Sequence, residues 1–322
     1  MKAIVCNDFG PIQNIEYKDV NEPIIQDESV IINVKSVGVN FPDGLLVQGK
    51  YQLKPDTPFI PGMEVAGEIF KIGPNVSSLK IGDRVAALSQ LSGYAEQAVV
   101  QEKSIFKIPS KMSFDDSCAL LCAYGTSHYA LKQRANLKKN ELLVVLGASG
   151  STGIAAIQIG KIMGAKVIAV SSNSEKQKIA KDNGADISIG YDNLKEELKS
   201  ISNGKGIDVI FDPVGGDIFD TVARTMARSG RLLVIGFASG TIPKLAVNLA
   251  LVKEFSVVGV FWGAFTRSEP IEYKQNMIEL FNWYKEGLLK PLIQDSYPLS
   301  EAAVVLEKIL ARGAKGKIIL KP

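Results

Sequence analysis

The segment at residues 142–160, LLVVLGASGSTGIAAIQIG, decides the fold. An apolar run enters a glycine-rich turn and continues into a helical pattern, as in the first βα unit of a dinucleotide-binding domain. Glycines let the backbone approach a pyrophosphate, and the free N–H groups at the start of a helix attract that anion. The segment therefore predicts a strand, a phosphate-binding turn and a helix.

Outward from this segment, residues 142–261 continue to alternate between strands and helices. Their apolar runs are too continuous for strands with one exposed face, which indicates a parallel sheet covered on both faces. The predicted strands are LLVVLG, KVIAVS, ISIGY, IDVIFD, RLLVIGF and FSVVGVFW, and the predicted helices are 151–163, SEKQKIAKDN, NLKEELKSIS and DIFDTVARTMA.

The flanking sequence has a different character. Before about residue 125, short apolar runs are broken by Gly, Pro and Asp, as in AIV, SVIINVKSVGV, EVAGEIFKIG, DRVAALS and AEQAVV. This pattern predicts an antiparallel or mixed β domain. After residue 270 we expect the helices IEYKQNMIELFNWYKEG and SEAAVVLEKILARG and a final strand, KIIL.

Composition narrows the class of protein. A chain of 322 residues predicts two domains, and a net charge of +3 gives no reason to expect a nucleic-acid or membrane partner. Three cysteines do not make a disulfide framework. The start, MKAIVCNDFG, lacks the long apolar stretch of a secretory signal. We expect a cytoplasmic protein.

The end of the second strand predicts which dinucleotide binds. An NAD site usually has Asp or Glu there, on the ribose 2′-hydroxyl. Here the strand ends Val170-Ser171-Ser172-Asn173-Ser174, and Lys176 follows. Hydroxyls and a lysine suit a 2′-phosphate, so NADPH is favoured over NADH; the alternative for Lys176 is an ordinary solvated charge.

The chain resembles the zinc-independent quinone oxidoreductases (zeta-crystallin type) of the medium-chain dehydrogenase/reductase superfamily. The blocks that carry the resemblance are GVNFPDGLLVQGKY (38–51), PFIPGMEVAGEI (58–69), GDRV (82–85), AYGTSHYAL (123–131), GASGSTGIAAIQIGK (147–161), GRLLVIGFASG (230–240), VVGVFWG (257–263) and ARGAKGKIIL (311–320). It implies an α/β fold in which a doubly wound Rossmann domain, residues 125–262, is inserted into a GroES-like, mostly β catalytic domain, residues 1–124 and 263–322.

The resemblance also implies a cofactor site for NADPH. Nicotinamide and ribose contacts correspond to Asn40, Thr126 and Tyr129, and the pyrophosphate turn to Ala148, Ser149, Gly150, Ser151, Thr152 and Gly153. The 2′-phosphate contacts correspond to Ser172, Lys176 and Tyr191, with Arg312 and Lys317 from the C-terminal stretch, and the nicotinamide end to Val214, Gly236, Phe237, Phe261 and Trp262. Ser151-Thr152 replaces the Gly-Val common in the family.

Zinc is not expected. A zinc site needs at least three suitably spaced ligands, yet the positions that resemble the first two catalytic ligands of zinc-dependent relatives lie in Gly38–Phe41 and at Met63, and the structural-zinc cysteines are absent. Cys118 and Cys122 are read as small core residues. The single histidine, His128, is read as a packing or positioning residue, with general acid as the alternative.

Without a Lewis acid, hydride needs an acceptor that is already activated, such as a quinone or another conjugated carbonyl. Asn40, Tyr51 and Tyr129 are candidate donors to its oxygen. Asp43 orients Asn40 or Tyr51, or it caps a turn. The alternative for Tyr51 is that it closes a turn. The alternatives are an enal, enone or enoyl-thioester reductase and, outside enzymes, a crystallin-like or RNA-binding nucleotide-binding protein.

Residues 255–262, FSVVGVFW, form the predicted last strand of the parallel sheet, at its edge. The segment has no charge and no proline to protect an exposed edge. A homodimer that pairs this strand with its own copy would cover it, and the family resemblance implies the same. The alternative is a monomer in which a loop covers the edge.

Overall fold

The computed structural model describes all 322 residues, which form two compact units. The first unit comprises Met1–Cys122 and Pro291–Pro322, and the second comprises Ala123–Lys290. The first boundary lies close to the predicted one. The second lies well after the predicted 262/263, because the two helices that follow residue 262 pack within the second unit.

The chain contains fifteen strands and eleven α-helices. The strands are β1 (Lys2–Val5), β2 (Glu16–Asp19), β3 (Ser29–Val39), β4 (Glu64–Ile72), β5 (Arg84–Leu88), β6 (Gln97–Gln101), β7 (Ile105–Lys107), β8 (Leu142–Leu146), β9 (Lys166–Val170), β10 (Ile187–Ile189), β11 (Ile207–Asp212), β12 (Met226–Val234), β13 (Ser256–Gly259), β14 (Ile293–Pro298) and β15 (Lys317–Lys321). The helices are α1 (Phe41–Val47), α2 (Phe114–Ala119), α3 (Gly125–Tyr129), α4 (Ser151–Ile162), α5 (Ser174–Asp182), α6 (Leu194–Ile201), α7 (Ile218–Ala223), α8 (Val247–Lys253), α9 (Trp262–Ser268), α10 (Pro270–Lys285) and α11 (Ala302–Leu310).

The first unit is built on a seven-stranded, mostly antiparallel sheet. Its strands are ordered β14-β15-β3-β4-β5-β7, and β6 also pairs with β3. The long strand β3 is central because it pairs with β15, β4 and β6. The register sets Gly38 opposite Ile319 on one side, and Val37 opposite Val65 on the other. Residues 38–40, 64 and 317 are therefore neighbours although they are far apart in sequence.

The second unit is the predicted doubly wound sheet. Its six strands run parallel in the order β10-β9-β8-β11-β12-β13. Strand β8 is central, and from Leu143 to Leu146 its residues are fully buried, as expected for a strand covered on both faces. The glycine-rich turn thus lies in the middle of the sheet's carboxyl edge, where nucleotides bind in this architecture.

Two predicted elements in the second unit were wrong. The helix expected over DIFDTVARTMA ends at Ala223, because Met226 pairs with Ile207 as the first residue of β12. The last strand, expected at 255–262, covers only Ser256–Gly259, and Trp262 begins helix α9. No helix of the chain combines the length and the apolar character needed to cross a bilayer.

Candidate cofactor and catalytic sites

The glycine-rich turn joins β8 to α4. Gly147 adopts a φ of +58°, a left-handed conformation that glycine tolerates without a steric penalty. Gly150 precedes the helix and offers no side chain to cap its first turn. The N–H groups at the start of α4 and the positive end of the helix dipole therefore face the turn without a side-chain acceptor. This arrangement fits an anionic pyrophosphate.

Two glycines of the turn differ in the space around them. A Cβ atom on Gly153 would lie 2.5 Å from the carbonyl oxygen of Gly147 and 2.8 Å from the backbone of Ala148, so α4 packs directly on the turn there. A Cβ atom on Gly150 would meet only the Gly147 carbonyl oxygen, at 3.5 Å. The surface beside Gly150 is open at the place where a phosphate group would contact the helix start. The predicted stretch Ala148–Gly153 thus has the shape that a dinucleotide requires.

Helix α3 carries the predicted nicotinamide contacts Thr126 and Tyr129 and lies against the start of α4. The hydroxyl of Ser127 donates to the carbonyl oxygen of Thr152 at 2.9 Å. The ring of Tyr129 stacks on Phe265, with centroids 4.1 Å apart. These contacts fix both predicted residues on a helix beside the glycine-rich turn.

The predicted nicotinamide contacts Phe261 and Trp262 have different environments. The ring of Trp262 packs on Gly125, where a Cβ atom would lie 2.8 Å from indole Cε2, and Trp262 is 8% exposed. Phe261 is 52% exposed. Trp262 thus fixes α9 against α3, and Phe261 presents its ring to solvent; the nicotinamide role that the resemblance implies for both stays a prediction.

The end of strand β9 carries the residues predicted to select the nucleotide. Ser172 is exposed and Lys176 is half-buried in the first turn of α5, where its backbone N–H donates to Asn173 Oδ1 at 2.9 Å. The preceding Ser171 is buried, and its hydroxyl has no hydrogen-bond partner; the sequence analysis did not single it out. Residues 170–174 contain no carboxylate to accept hydrogen bonds from a ribose 2′-hydroxyl.

Tyr191 follows strand β10 and returns to the glycine-rich turn. Its hydroxyl oxygen accepts the N–H of Gly147 at 3.1 Å. Tyr191 therefore holds the beginning of the turn, in addition to its predicted place beside the 2′-phosphate.

The loops after β11 and β12 carry Val214, Gly236 and Phe237, which the resemblance predicts at the nicotinamide end. The Oδ1 atom of Asp212 accepts the N–H groups of Val214 and Gly215 at 2.8 and 2.9 Å. Burial raises the pKa of Asp212, although these two hydrogen bonds oppose the shift. Asp212 was missed because a carboxylate at the end of a strand has no local signal that distinguishes a loop-shaping role.

His128 lies buried between α3 and α10. Its Nε2 atom is 2.8 Å from Glu279 Oε2, and its ring packs against Trp283. Burial lowers the pKa of His128, against the opposing effect of Glu279. The histidine is fully buried, which agrees with a packing and positioning role rather than with a general acid.

In the first unit, a buried polar cluster surrounds Asn40. The Lys317 ammonium donates to Asn40 Oδ1 at 2.8 Å and forms an ion pair with Glu64 Oε1. Asn40 Nδ2 donates to the same Glu64 oxygen at 2.9 Å. Glu64 Oε2 accepts the N–H of Cys122 at 2.8 Å, and Cys122 lies in a π-helical turn at 120–124. Both charged side chains are almost completely buried, at 1% and 0% exposure.

This cluster corrects the prediction that Lys317 contacts the 2′-phosphate. Burial lowers the pKa of Lys317, but Glu64 together with Cys122 and Cys118 raises it by more, so the pKa of the ammonium is raised overall. The group is a cation committed to Glu64 and Asn40, so it is not available to a nucleotide. Arg312, the other C-terminal residue that the resemblance assigned to the 2′-phosphate, is exposed. Its backbone adopts a φ of +60°.

Asp43 lies next to this cluster at the start of α1. Its Oδ2 atom accepts the N–H of Asn40 at 2.8 Å and the hydroxyl of Tyr94 at 3.1 Å. Asp43 is fully buried, so it is a positioning residue for Asn40 and not a group that touches a ligand. Tyr51 is half-buried against the core of the same unit. Because the Asp43 carboxylate accepts the backbone N–H of Asn40 at the start of α1, Asp43 both orients Asn40 and caps the helix.

Asp43 gives a testable pH dependence. Burial raises its pKa to about 7, against about 3.9 in an unfolded chain. The folded state therefore binds this proton more tightly, and the contribution to the free energy of unfolding falls as the pH rises from about 4 to about 7. Asp43→Asn is expected to gain stability relative to the unsubstituted protein across that window, by about 1 kcal/mol or more.

Urea unfolding of both proteins at the two ends of the window measures this difference. The lowered pKa of His128 makes the free energy of unfolding rise with pH instead of fall. Both proteins share this contribution, so it cancels in the comparison. Parallel pH profiles for the two proteins would show that Asp43 titrates normally.

The chain has no group of three or more His, Cys, Asp or Glu side chains placed to hold a metal ion. Cys118 is buried, with its Sγ atom near the carbonyl oxygens of Ser36 and Glu64, as expected for a core residue. Met63, at the position that resembles the histidine ligand, is half-buried.

The sequence matches two protein-family models. The alcohol dehydrogenase GroES-like domain matches residues 26–110, and the zinc-binding dehydrogenase domain matches residues 151–283. The chain is 37% identical to quinone oxidoreductase-like protein 2 homolog of Nematostella vectensis, over 99% of this chain and 88% of that protein. It is 34% identical to human quinone oxidoreductase, over 99% and 97%.

Among solved structures, that of Escherichia coli quinone oxidoreductase complexed with NADPH superimposes with a TM-score of 0.93 at 26% identity, covering 100% of both chains. The fold, a Rossmann-like parallel sheet with a GroES-like domain, defines an oxidoreductase of the medium-chain dehydrogenase/reductase superfamily. Within it, the chain belongs to the quinone oxidoreductase family.

Proposed function

We propose that the protein is an NADPH-dependent reductase that transfers hydride to a quinone or a similar conjugated carbonyl compound. The observation that carries this proposal is the glycine-rich turn, whose uncapped helix start and open surface beside Gly150 suit a pyrophosphate. Membership of the quinone oxidoreductase family and the NADPH complex of the Escherichia coli relative support the same cofactor and acceptor.

NADPH, when bound, supplies a hydride from C4 of its nicotinamide ring. The N–H groups at the start of α4 would hold its pyrophosphate, Ser172 and Lys176 would hold its 2′-phosphate, and Val214 and Phe237 would line its nicotinamide end. The amide of Asn40 and the hydroxyl of Tyr51 donate hydrogen bonds to the acceptor oxygen, where negative charge develops as hydride arrives. Water supplies the proton that completes the reduction.

We propose that this reaction does not use zinc. Two positions resemble zinc ligands of zinc-dependent relatives: one lies near Asn40 and the other is Met63. The Asn40 amide is bound by Lys317 and Glu64. A conjugated acceptor suits this site because its own π system delocalises the charge that a metal would otherwise stabilise.

The experiment that tests the function follows NADPH consumption with a panel of quinones, 2-enones, an enoyl thioester and a simple ketone. Turnover of quinones, with little or none of the ketone, is the expected result. Preferred turnover of enones or thioesters would assign the alternative reductase activity. Tight NADPH binding without turnover of any acceptor would indicate a nucleotide-binding protein that is not an enzyme.

Lys176 provides the test of cofactor choice. Lys176→Ala is expected to weaken NADPH binding by about 1–3 kcal/mol through loss of a charge-assisted hydrogen bond, and to leave NADH binding almost unchanged. Fluorescence titration of the unsubstituted protein should show NADPH binding at least about tenfold more tightly than NADH. Lys178→Ala, on the exposed side of the same helix in an ion pair with Asp182, is the control. Equal losses for both nucleotides would contradict the assignment of Lys176.

We also propose that the protein forms a homodimer through strand β13. This strand is at the edge of the sheet, and exposed apolar side chains are frequent in the chain around it: Ile242, Val247, Leu251, Val252, Val257 and Phe261. An apolar, uncharged edge is a surface that proteins usually cover. The loop alternative is disfavoured because these side chains are exposed in the single chain.

Val257→Lys is expected to shift the protein from dimer to monomer, because it places two charges in the paired edge. Val260 is not suitable for this test, since it is 8% exposed and lies after the strand. Light scattering measures the mass, and Ile24→Lys, which changes an apolar residue 86% exposed in the other unit, is the control. A native protein with a mass near 34.8 kDa would refute the dimer.

The three cysteines are free, and we propose a cytoplasmic location on this ground. Recovery of the protein outside the cytosolic fraction of its source cells would contradict it.

A further inference from the structure

A buried ion pair in the first unit holds the side chain that the proposed function places against the acceptor. Strand register brings the pair together, because β3 pairs with β15 on one side and with β4 on the other. Lys317 and Glu64 are consequently adjacent to Asn40, and both charged side chains are buried away from solvent. Gly38 provides the space: a Cβ atom there would overlap the Glu64 carboxylate and lie 2.7 Å from Lys317 Cε.

The pair determines the orientation of the Asn40 amide. An ammonium only donates hydrogen bonds and a carboxylate only accepts them. Asn40 must therefore direct Oδ1 at Lys317 and Nδ2 at Glu64, as it does at 2.8 and 2.9 Å. In the reversed orientation, Nδ2 would face the Lys317 ammonium, which is also a donor, and Oδ1 would face the Glu64 carboxylate, which is also an acceptor. One amide hydrogen is thus fixed on Glu64, and the other has only a long contact of 3.4 Å, to the Gly38 carbonyl oxygen.

We infer that Lys317 and Glu64 are positioning residues for the reaction: they fix the Asn40 amide so that its second N–H is held ready for the ligand. The inference rests on the proposed function only for the identity of that ligand. Neither residue touches the acceptor, because both are buried. Asp43 supports the same residue from the backbone side through the Asn40 N–H.

The chain contains a matched control on the same strand. Lys321 also lies on β15 and pairs with Asp115 and Ser36 on α2 and β3. It forms a similar ion pair four residues away, but that pair is 40% and 26% exposed and its partners do not include Asn40. A role specific to Asn40 should therefore be lost in Lys317→Met and retained in Lys321→Met.

The first experiment does not depend on turnover. The side-chain amide signal of Asn40 is assigned in the nitrogen–proton NMR spectrum by its loss in Asn40→Ala. We expect slow hydrogen exchange of one amide proton in the unsubstituted protein and in Lys321→Met. In Lys317→Met, exchange is expected to be at least about tenfold faster, because the Asn40 amide loses the charge-assisted hydrogen bond at Oδ1 that keeps its Nδ2 proton directed at Glu64. Unchanged exchange in a folded Lys317→Met variant would overturn the inference.

The second experiment is a double-substitution cycle in the reductase assay. Lys317→Met is expected to lower kcat by about tenfold or more with little change in the NADPH Kd, and to have little further effect in an Asn40→Ala background. Lys317→Arg should recover part of the loss. Full additivity of the two substitutions, or unchanged kcat in Lys317→Met, would contradict the inference.

Lys317→Met leaves Glu64 buried without its cation, so it can fail to fold. Lys317→Met/Glu64→Gln removes both charges and keeps an acceptor for Asn40 Nδ2. It is expected to fold, to show the faster exchange and to keep the low kcat; normal exchange and normal kcat in this variant would refute the inference. If the unsubstituted protein reduces no acceptor, the proposed function fails, and the exchange experiment still decides the role of the pair.

Discussion

Gly153→Ala is expected to abolish measurable NADPH binding and to lower the free energy of unfolding by about 1–3 kcal/mol, the usual cost of overpacking. The added methyl group would lie 2.5 Å from the Gly147 carbonyl oxygen and 2.8 Å from the Ala148 backbone. Because these neighbours are backbone atoms of the turn itself, they cannot yield without displacing the N–H groups at the start of α4. Urea unfolding and fluorescence titration with NADPH measure the two effects.

Gly150→Ala separates binding from folding. A Cβ atom at this position meets only the Gly147 carbonyl oxygen, at 3.5 Å, and the φ of −76° suits any residue. This variant should fold with nearly normal stability and bind NADPH more weakly, because the methyl group enters the open surface assigned to the pyrophosphate. Normal NADPH binding by Gly153→Ala would show that the turn does not hold the cofactor.

Glu64→Leu is expected to have the largest effect on stability, a loss of about 3–5 kcal/mol. The substitution removes the carboxylate and leaves the Lys317 ammonium, 1% exposed, without its counter-ion. It also removes the acceptor of the Asn40 and Cys122 N–H groups. Denaturant unfolding near neutral pH measures the loss.

Two controls test the reason for this loss. Glu64→Leu/Lys317→Met replaces both charges with apolar side chains, and it should recover much of the stability, since a buried pair is often replaceable by apolar residues. Asp19→Asn breaks an exposed pair with Lys2 and should have little effect on the free energy of unfolding, because solvent screens such pairs. If Glu64→Leu is no more destabilising than Asp19→Asn, the Lys317–Glu64 pair is not shielded from water, and the structural role given to this pair is wrong.

Local sequence patterns predicted the parallel sheet because each of its central strands carries its own signal. Strands β8, β9 and β11 are continuous apolar runs bounded by glycines or helix starts, and their burial on both faces follows from that pattern. The second domain boundary was not predictable in this way. It depends on contacts of α10 with α3, such as that between His128 and Glu279, which join residues far apart in sequence.

The residues of the candidate site differ in the same way: some could be predicted from local sequence, and others depend on long-range contacts. The glycine-rich turn and the end of β9 are each a single short stretch of sequence, so their residues could be proposed as NADPH contacts from local patterns alone. The Lys317–Glu64 pair joins two residues separated by most of the chain, and each residue alone resembles an ordinary surface charge. Only the register of β3 with β4 and β15 shows that the two are buried against Asn40. For this reason the resemblance alone suggested a phosphate contact for Lys317, whose ammonium is bound to Glu64 and Asn40.

NADPH oxidation by a quinone, measured before and after exhaustive treatment with a strong chelator, tests the proposed zinc-independent reduction. We expect the quinone to be reduced at the same rate in both samples, NADH to be a poorer donor, and a simple alcohol with NADP⁺ to give no reaction. Loss of turnover on chelation with recovery on adding zinc, or alcohol oxidation in place of quinone reduction, would contradict it.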